Sequence, residues 1–355
     1  MRVFLDGTPL AVPAGGIARY TAELSVALAN EFPADEYWLV SDQPFSLAPP
    51  QPANLHCAGR KRGVFGRRWW SCGVAAAMLE SSAELFHGTD FAVPYLPLRP
   101  SVLTLHDLSP WRDAAWQAAS PRVRRRTPFL IGLGLATMII TPTEAIRREA
   151  IDKFRLHPSR IVSVPLAAAA HFRPAGPEPA PAPYFLYVGA LEARKNISLL
   201  LEAWREVRRS HPVELVLAGR ARPGFRTPAP EPGLRLLGET RDADLPALYS
   251  GAVAFLYPSL YEGFGLPVLE AMSCGTAVIA SRDPAIAEVA GDGALLLEAG
   301  GAAPWVEAMK AVLSEPVRRT QLRERALRRS RDFSWARTAR RTREVYLEAR
   351  RRFGN

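Results

Sequence analysis

Residues 259–281 read SLYEGFGLPVLEAMSCGTAVIAS, and the order of residue types in this stretch decides the fold. Glu262 precedes a turn made of Gly263, Phe264 and Gly265, and Glu270 stands eight residues beyond Glu262, inside a run of helix formers that begins near Pro267. Proline suits a first helical turn, where its missing N–H would have had no intrahelical partner. The amides of Gly265, Leu266 and their neighbours are thereby placed at a helix N-terminus, whose dipole and unpaired N–H groups attract a diphosphate. Glu270, one or two turns into the helix, can accept two hydrogen bonds from a ribose diol, and Glu262 sits at the mouth of the loop, facing a sugar. Taken singly, either glutamate is also ordinary stabilisation of a helix start.

Working outward, residues 184–188, 214–217, 234–237 and 252–257 read as short apolar strands, with helical spacing between them at 197–209 and 245–250. A proline-rich insert at 221–233 reads as a surface loop. Upstream, residues 173–183 (RPAGPEPAPAP) hold five prolines, which exclude a regular element and predict a stiff linker. Before the linker the same alternation occurs, with strands at 3–5, 37–40, 85–87, 101–105, 138–141 and 161–164. The first strand runs into a loop carrying Gly15 and Gly16, followed by a helix over 19–30 with Tyr20, Leu24 and Leu28 on one face. Strands alternating with helices predict a parallel sheet covered on both faces. The chain is therefore read as two doubly wound α/β domains, 1–172 and 184–335, with the final helix, about 336–355, packing back on the first. Beyond Val345, Tyr346 and Leu347 that helix offers few apolar residues for a core.

With 355 residues, 48% hydrophobic and 23% charged, the chain has material for two such domains and no compositional sign of disorder. The three cysteines, Cys57, Cys72 and Cys274, lack C-x-x-C spacing, which argues against a disulfide framework or zinc knuckle and for a reducing cytoplasm. The start, MRVFLDG, places Asp6 and Gly7 where a secretory signal needs an apolar core. Residues 129–140 form the longest apolar run, well short of the roughly 20 that span a bilayer. The net charge of +10 is concentrated in residues 317–355, where fourteen arginines face Glu324, Asp332, Glu344 and Glu348. Such a tail is a solvated helix face, a nucleic-acid patch or a site for anionic lipid.

The Glu-x7-Glu element of 259–281 resembles that of the group-one (family 4) glycosyltransferases, retaining enzymes of the GT-B fold with two facing Rossmann-like domains and an interdomain cleft. The resemblance extends to AGGIARYTAELSVAL, VLTLHDLSP, IVSVPLAAAAHFRP, YVGALEARKNISLLLEAW, LVLAGR and LLGETRDADLPALYSGAVAFLYPS, and so covers nearly the whole chain. It implies that Gly15 and Gly16 let a loop approach the donor closely. It places His106 near the donor sugar, a role also favoured by its position at a strand's carboxyl end. Lys195 matches the lysine that neutralises the leaving diphosphate. Glu262 joins His106 and Lys195 as the catalytic group, while Gly263, Phe264, Gly265, Leu266 and Glu270 bind the donor. One departure stands out: many relatives carry arginine after the strand's glycine, where this chain has Ala190. Arg194 is the candidate for the second cation, although adjacent helical positions point about 100° apart.

The resemblance implies retention through front-side attack assisted by the departing phosphate, with no cofactor and no metal. Asp242 and Asp244 have the spacing of a metal pair but read better as a capped helix start. The donor is a nucleotide-diphosphate sugar, with GDP-mannose leading and UDP-hexoses next, and the acceptor is a saccharide or lipid-linked saccharide. Competing readings are a GT-B sugar-nucleotide epimerase or phosphorylase and, from another class, a basic nucleic-acid binder; the transferase reading expects no nucleic-acid partner. Finally, RKRGVFGRRWW at 60–70 and RVRRRTPFLIGLGL at 122–135 mix cations with apolar residues in a way that suits an anionic membrane surface. A cytoplasmic enzyme, peripheral on the inner face of the cell membrane, is the expectation.

Overall fold

A computed structural model describes residues 1–11, 15–59, 68–112, 121–176 and 182–353. The chain divides into two compact units, Met1–Leu166 with Ser334–Asn355, and Ala167–Phe333. It leaves the first unit at Leu166, ahead of the proline-rich stretch, because Ala169 and Phe172 are already buried in the core of the second.

In the first unit β1 (Arg2–Asp6), β2 (Glu36–Ser41), β3 (Leu55–Gly59), β4 (Leu85–Gly88), β5 (Ser101–Thr104), β6 (Met138–Thr141) and β7 (Ile161–Ser163) make one sheet in the order β3-β2-β1-β4-β5-β6-β7. All its pairings are parallel. The central strands β4, β5 and β6 bury every residue, as a sheet covered on both faces requires. Among the connections are α1 (Gly16–Glu31), α2 (Val74–Glu80), α3 (Pro121–Gly132) and α4 (Glu144–Phe154). Tyr20, Leu24 and Leu28 are buried on one face of α1, as their spacing predicts. Strand β3 went unread because it is an edge strand whose centre, His56 and Cys57, breaks the apolar pattern.

The second unit repeats the plan with β8 (Tyr184–Val188), β9 (Glu214–Ala218), β10 (Leu234–Gly238), β11 (Ala254–Tyr257), β12 (Val278–Ser281) and β13 (Leu295–Leu297), in the order β10-β9-β8-β11-β12-β13. Its helices are α5 (Ile197–Arg208), α6 (Leu245–Gly251), α7 (Leu266–Ser273), α8 (Pro284–Ala290), α9 (Ala303–Ser314) and α10 (Pro316–Ser330). Both sheets reverse their winding between the first strand and the fourth, so each has a switch point where the carboxyl ends of its two central strands part.

The last helix, α11 (Trp335–Arg352), belongs to the first unit and packs on α1 and on the strands β5 and β6. Its inner face is Trp335, Thr338, Ala339, Thr342, Val345, Tyr346 and Ala349, whereas Leu347 faces solvent. Small and hydroxyl-bearing residues thus do work that a count of apolar residues overlooks; Thr338 Oγ1 donates to the Pro165 carbonyl at 2.7 Å. The arginines of 317–353 are divided between α10, with Arg331 just after it, and α11, in different units. Several are tied down: Arg323 to the Gly275 carbonyl, Arg329 to Val289 and Glu288, Arg340 to Glu31 and Arg343 to Asp35. No helix among the described residues is long and apolar enough to cross a membrane.

Candidate active site

At the switch point of the second unit, the turns that follow β8 and β11 are laced together. Leu260 N donates to the Arg194 carbonyl at 2.8 Å, and the Ser259 hydroxyl reaches the same oxygen at 3.3 Å. After β8 comes the short turn Ala193–Lys195, closed by Asn196 in the left-handed conformation. This geometry brings Arg194 and Lys195 to one carboxylate from two sides. The Lys195 ammonium donates to Glu262 Oε1, and Arg194 Nη1 donates to Glu262 Oε2 at 3.2 Å. Adjacent residues need not point the same way to converge, since the two oxygens of Glu262 present separate targets. Ala190 supplies no cation; its carbonyl accepts from the Tyr187 hydroxyl at 2.9 Å.

Two further groups hold Glu262 Oε1: the Tyr257 hydroxyl at 2.9 Å and the Ser259 hydroxyl at 2.6 Å. Tyr257 also accepts from Lys195 Nζ at 2.7 Å, so one phenol bridges the pair. Tyr257 ends β11, within the stretch LLGETRDADLPALYSGAVAFLYPS, to which no role for this residue was attached; its signal was an aromatic residue placed one step before the Pro-Ser that opens the loop. Burial by itself would raise the Glu262 carboxyl, but the charges of Lys195 and Arg194 and the bonds from Lys195 and Ser259 override it and hold the pKa down to about 2. Burial pulls the Lys195 ammonium below its ordinary range, against the opposing pull of Glu262. The ionised Glu262 favours the cationic form of the lysine against that burial. The Glu262 carboxylate is thus turned onto the two cations.

Beyond Glu262 the chain enters α7 as its sequence predicts, with Pro267 in the first turn and Gly265 as the residue before the helix. Gly265 has φ +89°, a left-handed conformation in which a side chain would be strained. Gly263 and Phe264 are buried, Phe264 edge-on to Phe333, and Leu266 is half-buried. Glu270 is 1% exposed, and its Oε2 accepts from the Tyr249 hydroxyl at 3.0 Å. Asp244 stands at the start of α6, yet its carboxylate is taken by Arg241 at 2.7 and 2.8 Å and makes no capping bond. Among the described residues no three His, Cys, Asp or Glu side chains group together as metal ligands would.

In the first unit Gly15 has φ +143° before α1, and Gly16 is the helix's first residue. His106 follows β5, its Nε2 donating to the Thr89 carbonyl at 2.7 Å. Because a carbonyl only accepts, Nε2 carries a proton, which leaves Nδ1 as the acceptor of the neutral ring. The ring meets Tyr20 and Phe91 edge-on, at 4.9 and 5.8 Å between centroids. Burial lowers the His106 pKa, against the pull of Asp90. Asp107 is engaged locally, accepting from the Ser109 amide at 2.9 Å and hydroxyl at 2.7 Å. Behind this edge lies a network that the sequence did not disclose. His87, fully buried, bonds Tyr346 through Nδ1 and Thr104 through Nε2, both at 2.7 Å, and Thr104 reaches the Tyr20 hydroxyl at 2.9 Å. Burial drives the His87 pKa down to about 3.

Of the basic-aromatic segment at 60–70, residues 60–67 lie outside the described residues. Trp69 is buried against Val74 and Phe86, which corrects its expected place at a membrane interface. Trp70 is half-buried, with the Arg126 guanidinium 5.2 Å from its ring centroid.

Comparison with known proteins covers both units. The model of "Glycosyl transferases group 1" matches residues 170–329, and that of "Glycosyltransferase Family 4" matches residues 14–168. An O-antigen chain mannosyltransferase B of Escherichia coli is 31% identical over 94% of this chain and 96% of its own. A D-inositol 3-phosphate glycosyltransferase of Kineococcus radiotolerans is 32% identical over 60% of this chain and 58% of its own. Among solved structures, sucrose-phosphate synthase from Thermosynechococcus elongatus superposes with a TM-score of 0.75 at 18% identity, covering 98% of each chain, a likeness of fold. With two Rossmann-like units, matches over both and a full-length relative at this identity, the chain belongs to the group 1 glycosyltransferases and has the GT-B fold.

Proposed function

We propose that the protein is a retaining, metal-independent hexosyltransferase that moves mannose from GDP-mannose to a saccharide or lipid-linked acceptor in polysaccharide assembly. The observation that carries the reading is the meeting of Lys195 and Arg194 on Glu262, next to the N-terminus of α7, at the switch point of the second sheet. Breaking a sugar–diphosphate bond builds negative charge on the leaving phosphate and positive character at the anomeric carbon. Cations and helix amides fixed beforehand stabilise that charge without reorganising as it forms. In this scheme Lys195 and Arg194 hold the diphosphate, Gly265 and Leu266 offer amides to it, Glu270 takes the ribose, and Glu262 sets the two cations in place. His106, through Nδ1 of its neutral ring, accepts a hydrogen bond from a sugar hydroxyl. The choice of mannose is supported by the mannosyltransferase relative.

Turnover of labelled GDP-mannose, UDP-glucose and UDP-galactose, with and without saccharide acceptor and after chelation of divalent ions, tests this reading. Acceptor-dependent consumption of GDP-mannose in the chelated sample is expected. Use of UDP-sugars alone overturns the donor, a need for added magnesium or manganese overturns metal independence, and release of nucleotide without acceptor points to a hydrolysing epimerase. We also propose salt-sensitive association with anionic lipid through α3, whose Arg122, Arg124 and Arg125 accompany exposed Phe129 and, just beyond it, Leu133. Sedimentation with anionic vesicles at low ionic strength tests it; protein that stays in the supernatant refutes it.

A further inference from the structure

Lys195 and Arg194 meet two carboxylates, not one. Besides Glu262, the carboxylate of Glu192 lies 2.8 Å from Arg194 Nε. Two cations matched by two anions make a neutral set, so a diphosphate gains little attraction from it unless one carboxylate gives way. The two are held very differently. Glu262 is 7% exposed, with Lys195, Tyr257 and Ser259 on one oxygen and Arg194 on the other. Tyr257 is itself stacked on Tyr187 and Phe255, so the anchor of Glu262 is rigid. Moving Glu262 would strand a buried carboxylate away from its donors. Glu192 has a side chain 24% exposed and makes no capping bond to the turn it precedes; among the described residues its ion-pair partner is Arg194. The two side chains are 20% and 24% exposed, so water reaches the carboxylate and rehydrates it on leaving, and such a single pair contributes about fivefold to an equilibrium constant.

We propose that Glu192 is a displaceable counter-ion: it holds the Arg194 guanidinium in position and gives up Nε when a nucleoside diphosphate supplies a phosphate oxygen in its place. Arginine suits such an exchange because its planar fork bonds carboxylate and phosphate in the same geometry. The inference rests on assigning Lys195 and Arg194 to the donor's diphosphate.

Calorimetric titration of the full chain with GDP, UDP, guanosine and uridine separates the two. The Glu192→Gln variant, with a thermal midpoint at the wild-type value, is expected to bind the diphosphate that wild type binds about three- to fivefold tighter, with nucleoside binding unchanged. The gain is expected to vanish when Arg194→Ala is added. If Glu192→Gln binds no tighter while Lys195→Ala still loses diphosphate affinity, the counter-ion role is wrong and the site stands. If Lys195→Ala binds both diphosphates as wild type does, the assignment of the site falls, and this inference with it.

Discussion

At the switch point of the second unit, buried Lys195 is ion-paired with Glu262, whereas at the corresponding edge of the first unit His87 and His106 are buried among neutral hydrogen-bonding and aromatic partners, and burial lowers the pKa of both. Asp6, at the end of β1 and 1% exposed, follows the second pattern: burial pushes its pKa up to about 7, although Thr8 N donates to it at 3.0 Å. One strand order thus supports two solutions to buried polarity. Cations whose counter-ion can be exchanged suit a ligand that is itself anionic, and neutral hydrogen-bonding groups suit hydroxyls. That contrast matches the division of labour proposed for donor diphosphate and sugar.

The largest expected effect is on the paired side. Lys195→Ala is expected to lower turnover by two or more orders of magnitude, since one oriented charge partner contributes about 3–4 kcal/mol to a barrier of this kind. Steady-state kinetics check it, and a variant with near wild-type turnover would erase the contrast between the units. On the neutral side, His87→Leu strips the Tyr346 hydroxyl of its buried partner and is expected to cost about 1–3 kcal/mol of stability, read from urea denaturation, with turnover at permissive temperature preserved. Lost turnover in a stable His87→Leu protein would mean that the network does more than hold the unit together.

A smaller effect is expected from Glu270→Ala, which should raise the Michaelis constant for the donor and leave turnover alone, because a ribose contact is made equally in ground and transition states. A further effect is a dependence on pH. A carboxyl whose pKa rises from 3.8 to about 7 on folding contributes stability below the lower value and loses it as pH rises through the higher. Asp6→Asn removes that loss, so its stability relative to wild type is expected to increase from pH 4 to pH 7, at up to about 1.4 kcal/mol per unit. Glu262 has the opposite sign: with its pKa lowered from 4.5 to about 2, its contribution is complete above 4.5 and lost as pH falls towards 2. Unfolding free energies from pH 2 to pH 7, in wild type, Asp6→Asn and Glu262→Gln, separate the two; an Asp6→Asn difference flat in pH would place Asp6 in water.

Most of the fold was legible because parallel strands buried on both faces read as apolar runs and the helices between them keep their spacing. Three strands were not: β3 is interrupted by polar residues, β13 is three half-buried leucines, and β12, though buried and apolar, follows α7 with only Cys274–Ala277 between them. The turn, proline and helix after Glu262 are local features, and the sequence read them correctly. What it could not supply were contacts between residues far apart in the chain. Lys195 and Glu262 are separated by 67 positions and His87 and Tyr346 by 259, so nothing in the spacing says which way Glu262 turns or that His87 has a partner. Tyr257 and Glu192 were passed over for the same reason. Trp69 shows the converse, for its neighbours in sequence suggested a surface that its core position denies it.

The central claim, that the donor's diphosphate is taken by the paired charges of the second unit, is tested most directly by hydrogen exchange with and without GDP. The account predicts slower exchange at residues 189–196 and 262–270, and loss of that protection in Lys195→Ala. Protection confined to the first unit, or unchanged by the substitution, would contradict it.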